Sequence, residues 1–263
     1  MKIRLNNFEM AYDDQGKGIS LLWMHGYPLS RNIWQLQMKD LTAYARLLAP
    51  DLRGFGESDS VEGICSMDLL AKDCQDFLTA LGIQEPVVVG GLSMGGYVAF
   101  SFIRQYPQRV AGLVLAATRA GADSQEGKAN RDKSATLARE KGSSAIAEAM
   151  LPKMLSPKTY HTNPSLVAQV KEIMETASVD GIVGALMGMR DRPDSTPTLS
   201  QIKVPTLILH GADDQLIPAQ EAQAMQAAIK NSRLHILPGA GHLLNMEQPG
   251  LFNQAVQDFL ETF

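Results

Sequence analysis

The run Val87-Val88-Val89-Gly90-Gly91-Leu92-Ser93-Met94-Gly95-Gly96 limits this chain more than any other stretch. Its β-branched apolar start, bounded by Pro86 and Gly90, predicts a short buried strand. Residues 94–106 predict a helix, so a single serine stands at a sharp strand-to-helix turn. Gly91-x-Ser93-x-Gly95 supplies the small neighbours that such a turn requires. The backbone is strained there, a Cβ would clash, and the helix must begin close against the strand. The hydroxyl of Ser93 is then exposed at the end of a sheet. The amide of Met94 points into the space before it, as a helix N-terminus does. Ser93 is the candidate nucleophile.

Strands and helices alternate around this elbow. Residues 2–6 and 8–13 predict an opening strand pair turned at Asn6-Asn7. The wholly apolar run 21–24 stops at His25-Gly26-Tyr27-Pro28 and predicts a strand buried on both faces. A helix near 34–41, a strand over 46–49 and a glycine-rich loop over 50–58 follow. Ser66 can cap a helix with Leu70, Cys74, Phe77 and Leu81 on one face, closed by Gly82. A strand over 110–116 comes after the elbow helix. From 118 to 197 only helical patterns occur, such as 135–141, 145–150, 166–177 and 182–189, separated by Pro152, Pro157, Pro164, Pro193 and Pro197. Strands return at 204–210 and 233–237, with helices starting at Pro218 and Pro249. The expected fold class is α/β, a mostly parallel, doubly wound sheet. Residues 1–117 and 198–263 form its core, and 118–197 form a helical cap insertion.

At 263 residues, 45% hydrophobic and 20% charged, the chain is long enough to bury one large core. A net charge of -4 gives no electrostatic footprint for nucleic acid or anionic membrane. No apolar run approaches the ~20 residues of a membrane span. The start of the chain alternates like a strand and lacks the apolar region of a signal peptide. Cys65 and Cys74 fall on opposite faces of one helical stretch, which argues against a disulfide. Together these features predict a cytoplasmic protein. Histidines 25, 161, 210, 235 and 242 show no metal-ligand spacing, so no metal is expected.

A serine hydroxyl attacks only when a base takes its proton and a third group orients that base. His242, in the loop Pro238-Gly239-Ala240-Gly241-His242 after the last strand, falls on the same sheet edge as the elbow. The loop Gly211-Ala212-Asp213-Asp214 leaves the preceding strand at that edge, and either carboxylate can reach a histidine. Serine, acid and histidine then follow the chain order of strand–elbow–helix hydrolases. His25 and His210 read as loop braces and Arg53 as a buried loop anchor. His161 and His235 carry no signal.

Along nearly its whole length the sequence resembles the α/β-hydrolase superfamily. That family's acid follows its strand as G-x-x-D with a proline four residues on, which Gly211, Asp214 and Pro218 match. The resemblance implies Asp214 as the acid, with Asp213 as the alternative. Gly241-His242 followed by Glu247 and Pro249 is also similar, the last two shaping the start of the terminal helix. His25-Gly26-Tyr27-Pro28, Asp51-Leu52-Arg53-Gly54-Phe55-Gly56-Glu57-Ser58 and the cap resemble the carboxylesterase and enol-lactonase-like branch. By that resemblance Ser93, Asp214 and His242 are catalytic, and the backbone N–H of Tyr27 joins that of Met94 as an oxyanion donor.

The function so implied is hydrolysis of carboxylic esters with small to medium apolar acyl groups, through an acyl-enzyme and with no cofactor. The expected partner is a small-molecule ester or lactone, with neither nucleic acid nor membrane. An enol-lactonase or a carbon–carbon bond hydrolase would use the same triad. A lactonase for a charged dicarboxylate requires an arginine over the pocket; Arg119, Arg190 and Arg192 are candidates that no motif marks. Dehalogenases and epoxide hydrolases of this fold use an aspartate nucleophile, and Ser93 counts against both. A ligand receptor on the same scaffold would keep the triad and turn over little. Met150, Met154, Leu155, Met174, Met187 and Met189 divide between a pocket roof and the cap's own core, mostly the latter. Arg190-Asp191-Arg192 reads either as an exposed hinge or as a salt bridge from cap to core.

Overall fold

A computed structural model describes all of residues 1–263. The chain runs through β1 (Lys2–Arg4), β2 (Glu9–Gln15), β3 (Ser20–Met24), α1 (Gln35–Asp40), β4 (Arg46–Pro50), α2 (Met67–Ala80), β5 (Val87–Leu92), α3 (Met94–Gln105) and β6 (Val110–Ala116). Five helices follow: α4 (Gln125–Met154), α5 (Pro157–Thr162), α6 (Pro164–Glu175), α7 (Val179–Arg190) and α8 (Thr196–Leu199). It ends in β7 (Thr206–Gly211), α9 (Ala219–Ala228), β8 (Ser232–Leu237), α10 (Leu244–Glu247) and α11 (Pro249–Leu260). The eight strands form one sheet in the order β1-β2-β4-β3-β5-β6-β7-β8. β2 is antiparallel to β1 and β4, and every other neighbouring pair is parallel. The fold is the expected mostly parallel, doubly wound α/β sheet.

The period of two along each strand sorts its side chains between two cores. Leu22, Met24, Val87, Val89, Leu113 and Leu115 join Phe77 of α2, Phe100 and Phe102 of α3, and Met225 of α9. Their neighbours Leu21, Trp23, Val88, Val114 and Ala116 face the other way, against Met38 of α1 and Phe252 and Val256 of α11. On that second face Trp23 stacks on Trp34 at 4.4 Å between ring centroids. Gly90 lies beside Trp23 in the β3–β5 register, and a Cβ there would enter the indole ring. All six residues of β5 are buried, so the strand that carries the elbow is the centre of the sheet.

Ser66 Oγ accepts from the Leu69 amide at 3.1 Å, and Gly82 takes a positive φ of 70° just beyond α2, as the sequence predicts. Cys65 and Cys74 are free and buried. Between β6 and β7 the structure differs from expectation in detail. Helix α4 continues through Pro152, which lies in its last turn, while the gap expected between 141 and 145 is a kink at Gly142 (φ 79°, ψ −174°). A conformation of that kind suits glycine, whereas a proline near a helix end leaves little of the hydrogen-bond ladder to break. The short helices α5, α8 and α10 have no counterpart in the sequence reading, because four to six residues are too few to show a period.

Arg53 is the buried anchor that its loop requires. It donates through Nε and Nη2 to Asp73 of α2 at 2.5 and 2.6 Å and lies over the Phe8 ring at 4.6 Å. Both side chains are only 6% exposed, so losing one partner strands a charge. Asp73→Ala is expected to lower the unfolding free energy by about 3–5 kcal/mol, and Arg53→Met with Asp73→Leu to recover most of it. Denaturant titration of the three proteins measures both effects; a single-variant loss below about 1 kcal/mol would mean that water reaches the pair.

Candidate active site

From β3 the chain steps to β4 on one side, then crosses back to β5 on the other. The connections therefore diverge between β3 and β5, and a crevice opens at the carboxyl ends of those strands. The loop His25-Gly26-Tyr27 leaves β3 at this point and Ser93 leaves β5. Ser93 has φ 56° and ψ −111°, a conformation that costs on the order of 1–3 kcal/mol for a residue with a side chain. Its amide donates to Ala116 O at 2.9 Å, and its carbonyl accepts from Thr118 Oγ1 at 2.8 Å. A Cβ on Gly91 would overlap the Gly95 carbonyl, and one on Gly95 would overlap the carbonyl of Met24. At Gly26 a Cβ would lie 3.3 Å from Ser93 Cβ, so the β3 loop also runs tight against the elbow. The amides of Tyr27 and Met94 donate to no carbonyl of the protein.

Asp214 Oδ2 lies 2.8 Å from His242 Nδ1, with both side chains almost fully buried. Burial alone would favour the neutral acid. His242, together with the amides of Leu216 and Ile217 donating to Oδ1 at 2.8 and 3.1 Å, outweighs burial and holds the carboxyl below its usual range. An ionised carboxylate only accepts, so the proton between the two belongs to Nδ1. In the neutral ring, Nε2 is then the free acceptor. Asp213, the alternative acid, is exposed. The loop that carries His242 is fixed from both sides: Glu247 accepts from the amides of Gly241 at 2.7 Å and Ser156 at 2.9 Å, and Leu243 N donates to Met154 O at 3.0 Å.

The other histidines are structural or exposed. Burial pushes His25 toward its neutral form; Nδ1 donates to Gly26 O at 2.9 Å and Nε2 accepts from Leu52 N at 3.0 Å. It thus ties the loop after β3 to the loop after β4. Burial likewise keeps His210 neutral, with Nε2 donating to Ile217 O at 2.9 Å behind the acid loop. His161 and His235 are exposed.

Ser93 and His242 border one cavity of about 120 Å³ together with Tyr27 and Tyr97. Met150, Met189, Leu216 and Ile217 give it an apolar side. Of the six Met and Leu residues weighed in the sequence, Met150 and Met189 reach this cavity, while Met154, Leu155 and Met174 are buried in a core. Met187 borders a separate surface hollow beside Glu62 and Ile64.

Two arginines, Arg119 and Arg131, complete the cavity wall. Both converge on Asp123: Arg119 Nη2 donates to Oδ1 at 2.7 Å and Arg131 Nε to Oδ2 at 3.0 Å. A third, Arg192, donates to Asp123 Oδ1 at 2.8 Å and lies over the Tyr97 ring at 4.0 Å. Arg192 therefore bridges the two ends of the α4–α8 segment, whereas Arg190 pairs at the surface with Asp132 and Asp191. Sequence reasoning missed Arg131 and Asp123. Neither belongs to a motif, and their pairing spans eight residues across the start of α4.

The sequence profile of the α/β hydrolase fold matches residues 19–249. A thermophilic esterase from Thermogutta terrifontis, solved with malate bound, superimposes with a TM-score of 0.95 at 41% identity, covering 97% of this chain and 94% of that one. The 3-oxoadipate enol-lactonase 2 of Acinetobacter baylyi is 26% identical across 93% of this chain and 89% of its own length. A 2-hydroxy-6-oxononadienedioate/2-hydroxy-6-oxononatrienedioate hydrolase of Paraburkholderia phymatum is 28% identical across 95% and 90%. With the profile spanning most of the sheet and the whole elbow, the chain belongs to the α/β-hydrolase family.

Proposed function

We propose that this hydrolase cleaves carboxylic esters with Ser93 as nucleophile, His242 as general base and Asp214 as the orienting acid. The observation that carries the reading is a buried Asp214 carboxyl 2.8 Å from Nδ1 of a histidine that shares its cavity with a strained, glycine-flanked serine. His242 Nε2 takes the proton of Ser93 as Oγ attacks the ester carbonyl. The amides of Tyr27 and Met94, unpaired within the protein, receive the negative oxygen of the tetrahedral intermediate. The imidazolium then returns its proton to the departing alkoxide, leaving an acyl-enzyme. Water, deprotonated by the same histidine, releases the acid and restores Ser93. Asp214 stays ionised throughout, and the chemistry needs no metal or organic cofactor.

The α4–α8 segment serves as the cap over this site, within the boundaries 118–197, and the setting is the cytoplasm with a small-molecule ester or lactone as partner. No helix is long and apolar enough to cross a membrane. The 41% identity to an esterase favours simple ester hydrolysis over the enol-lactone and carbon–carbon alternatives, which would use the same three residues. A receptor with little turnover has no need of a strained serine beside a polarised histidine.

A 4-nitrophenyl ester series from acetate to decanoate tests the reading. Turnover is expected to favour the acyl chains short enough for a 120 Å³ cavity, acetate to butyrate. Ser93→Ala should lower kcat by about 10⁴-fold or more, and turnover that survives the substitution rules Ser93 out. Asp214→Asn removes the acceptor that fixes the Nδ1–H tautomer, so kcat should fall by about 10⁴ with the fold intact by circular dichroism. A fall of only a few-fold would move the acid's role to another residue, with Asp213→Asn as the control.

A further inference from the structure

The arginines beside the proposed nucleophile are more than the local fold consumes. Asp123 carries one negative charge, its side chain is 1% exposed, and three guanidinium groups converge on it. Burial works against its ionisation, yet Arg131 and Arg192 keep it below the usual carboxylate range, so it is a fully used counter-ion. Glu221 is the other carboxylate whose charge reaches Arg119. Three guanidinium groups thus share the single buried carboxylate of Asp123, with Glu221 reaching Arg119 and Asp194 reaching Arg192 from further off.

Most of the unused donors belong to Arg119 and Arg131, the two arginines that line the cavity, although Arg192 also keeps a buried, unpaired Nε. Arg192 is 3% exposed and spends both Nη atoms on Asp123 and on the carbonyls of Met189 and Gly121. It is a clamp. Arg131 gives only Nε to Asp123, and neither Nη has a partner in the protein. Arg119 gives only Nη2, and its Nε is buried with nothing to donate to. Tyr27, 4% exposed, borders the same cavity with a hydroxyl that also lacks a partner. Burial pushes that phenol's pKa up, with Arg131 close enough to act against the rise. A buried group that can bond and does not is costly unless a ligand completes it. A planar fork with free N–H groups fits a carboxylate above other polar groups.

We propose that the substrate is an ester or lactone bearing a second, free carboxylate, which is held by Arg131 and Arg119 with the Tyr27 hydroxyl as a further donor. This rests on the hydrolase reading for the scissile bond, while the anion site stands on the arginine cluster. The reaction is ordinary hydrolysis: the acyl C–O bond breaks, water supplies hydroxyl to the acyl carbon and hydrogen to the alcohol, and the free carboxylate takes no part in bond making. For a half-ester of a diacid the product is a dianion.

Ethyl hydrogen succinate and ethyl levulinate provide the test. They share chain length and scissile ester and differ in a terminal carboxylate against a methyl ketone. Ethanol release by the native protein is expected to give kcat/KM on the order of tenfold or more higher for the anion, the worth of a charge-assisted hydrogen bond. Arg131→Met should bring the ratio of the two values close to one, Arg119→Met should lower it less, and Arg131→Lys should restore part of it. A native ratio near one, or a ratio unchanged in Arg131→Met, overturns the anion site and leaves ester hydrolysis standing. Binding to Ser93→Ala by calorimetry separates the two readings. If the native protein hydrolyses neither these esters nor the 4-nitrophenyl series, the hydrolase reading fails. Tighter binding of the anion that is lost on adding Arg131→Met then still supports the site, and equal binding of both compounds overturns it.

Discussion

The close approach of three backbone segments at the end of β5 is the constraint from which the rest follows. Gly91 meets Gly95 and Gly95 meets the carbonyl of Met24 with no room for a Cβ, and a Cβ on Gly26 would lie 3.3 Å from Ser93 Cβ. This contact forces Ser93 into a conformation that a serine would not take alone. The cost, on the order of 1–3 kcal/mol, is set against a strand buried along its whole length and a helix start packed beneath it. Strain is thus held where the strand before it and the helix after it are buried. An elbow on an edge strand would relax.

A second constraint is electrostatic. Asp214 can orient His242 only while ionised, although it is almost fully buried. The two amides of the turn at Leu216 and Ile217 supply what solvent would otherwise provide, and His242 supplies the rest. His210 lies 3.7 Å from the same oxygen but is kept neutral by its own burial and by donating to Ile217 O. One histidine is therefore polarised by the acid, and its neighbour is spent on holding the turn.

These features differ in how visible they are in the chain. The elbow, the Gly211-to-Pro218 turn and the Gly241-His242 loop are each set by a few adjacent residues, so their chemistry is written in short patterns. Strand alternation is legible for the same reason, since the period and its glycine and proline breaks are local. The arginine cluster is the opposite case. Asp123, Arg131 and Arg192 meet only because α4 and α7 pack against each other, and the sequence separation between Asp123 and Arg192 is 69 residues. Arg190, two positions from Arg192, is equally charged and turns to the surface. Nothing within a local window distinguishes them. The break at Gly142 is legible, since the helical patterns over 135–141 and 145–150 leave it between them, whereas Pro152 breaks nothing because the structure places it where a proline does least harm.

Helix α4 connects the two halves of the proposed chemistry. Its first turns bring Arg131 to the cavity, and its last residues meet the loops that carry the acid and the base. Leu243 N donates to Met154 O, Gln215 Nε2 donates to Leu155 O at 3.1 Å, and Glu247 joins Ser156 N to Gly241 N. The α4–α8 segment is therefore part of the frame that sets the Asp214–His242 contact. Moving this segment to admit a large substrate would loosen the same bonds that align the histidine. A small ligand anchored at the Arg131 end needs no such movement, so the geometry that keeps the base aligned also favours a compact, charged substrate over a long apolar one.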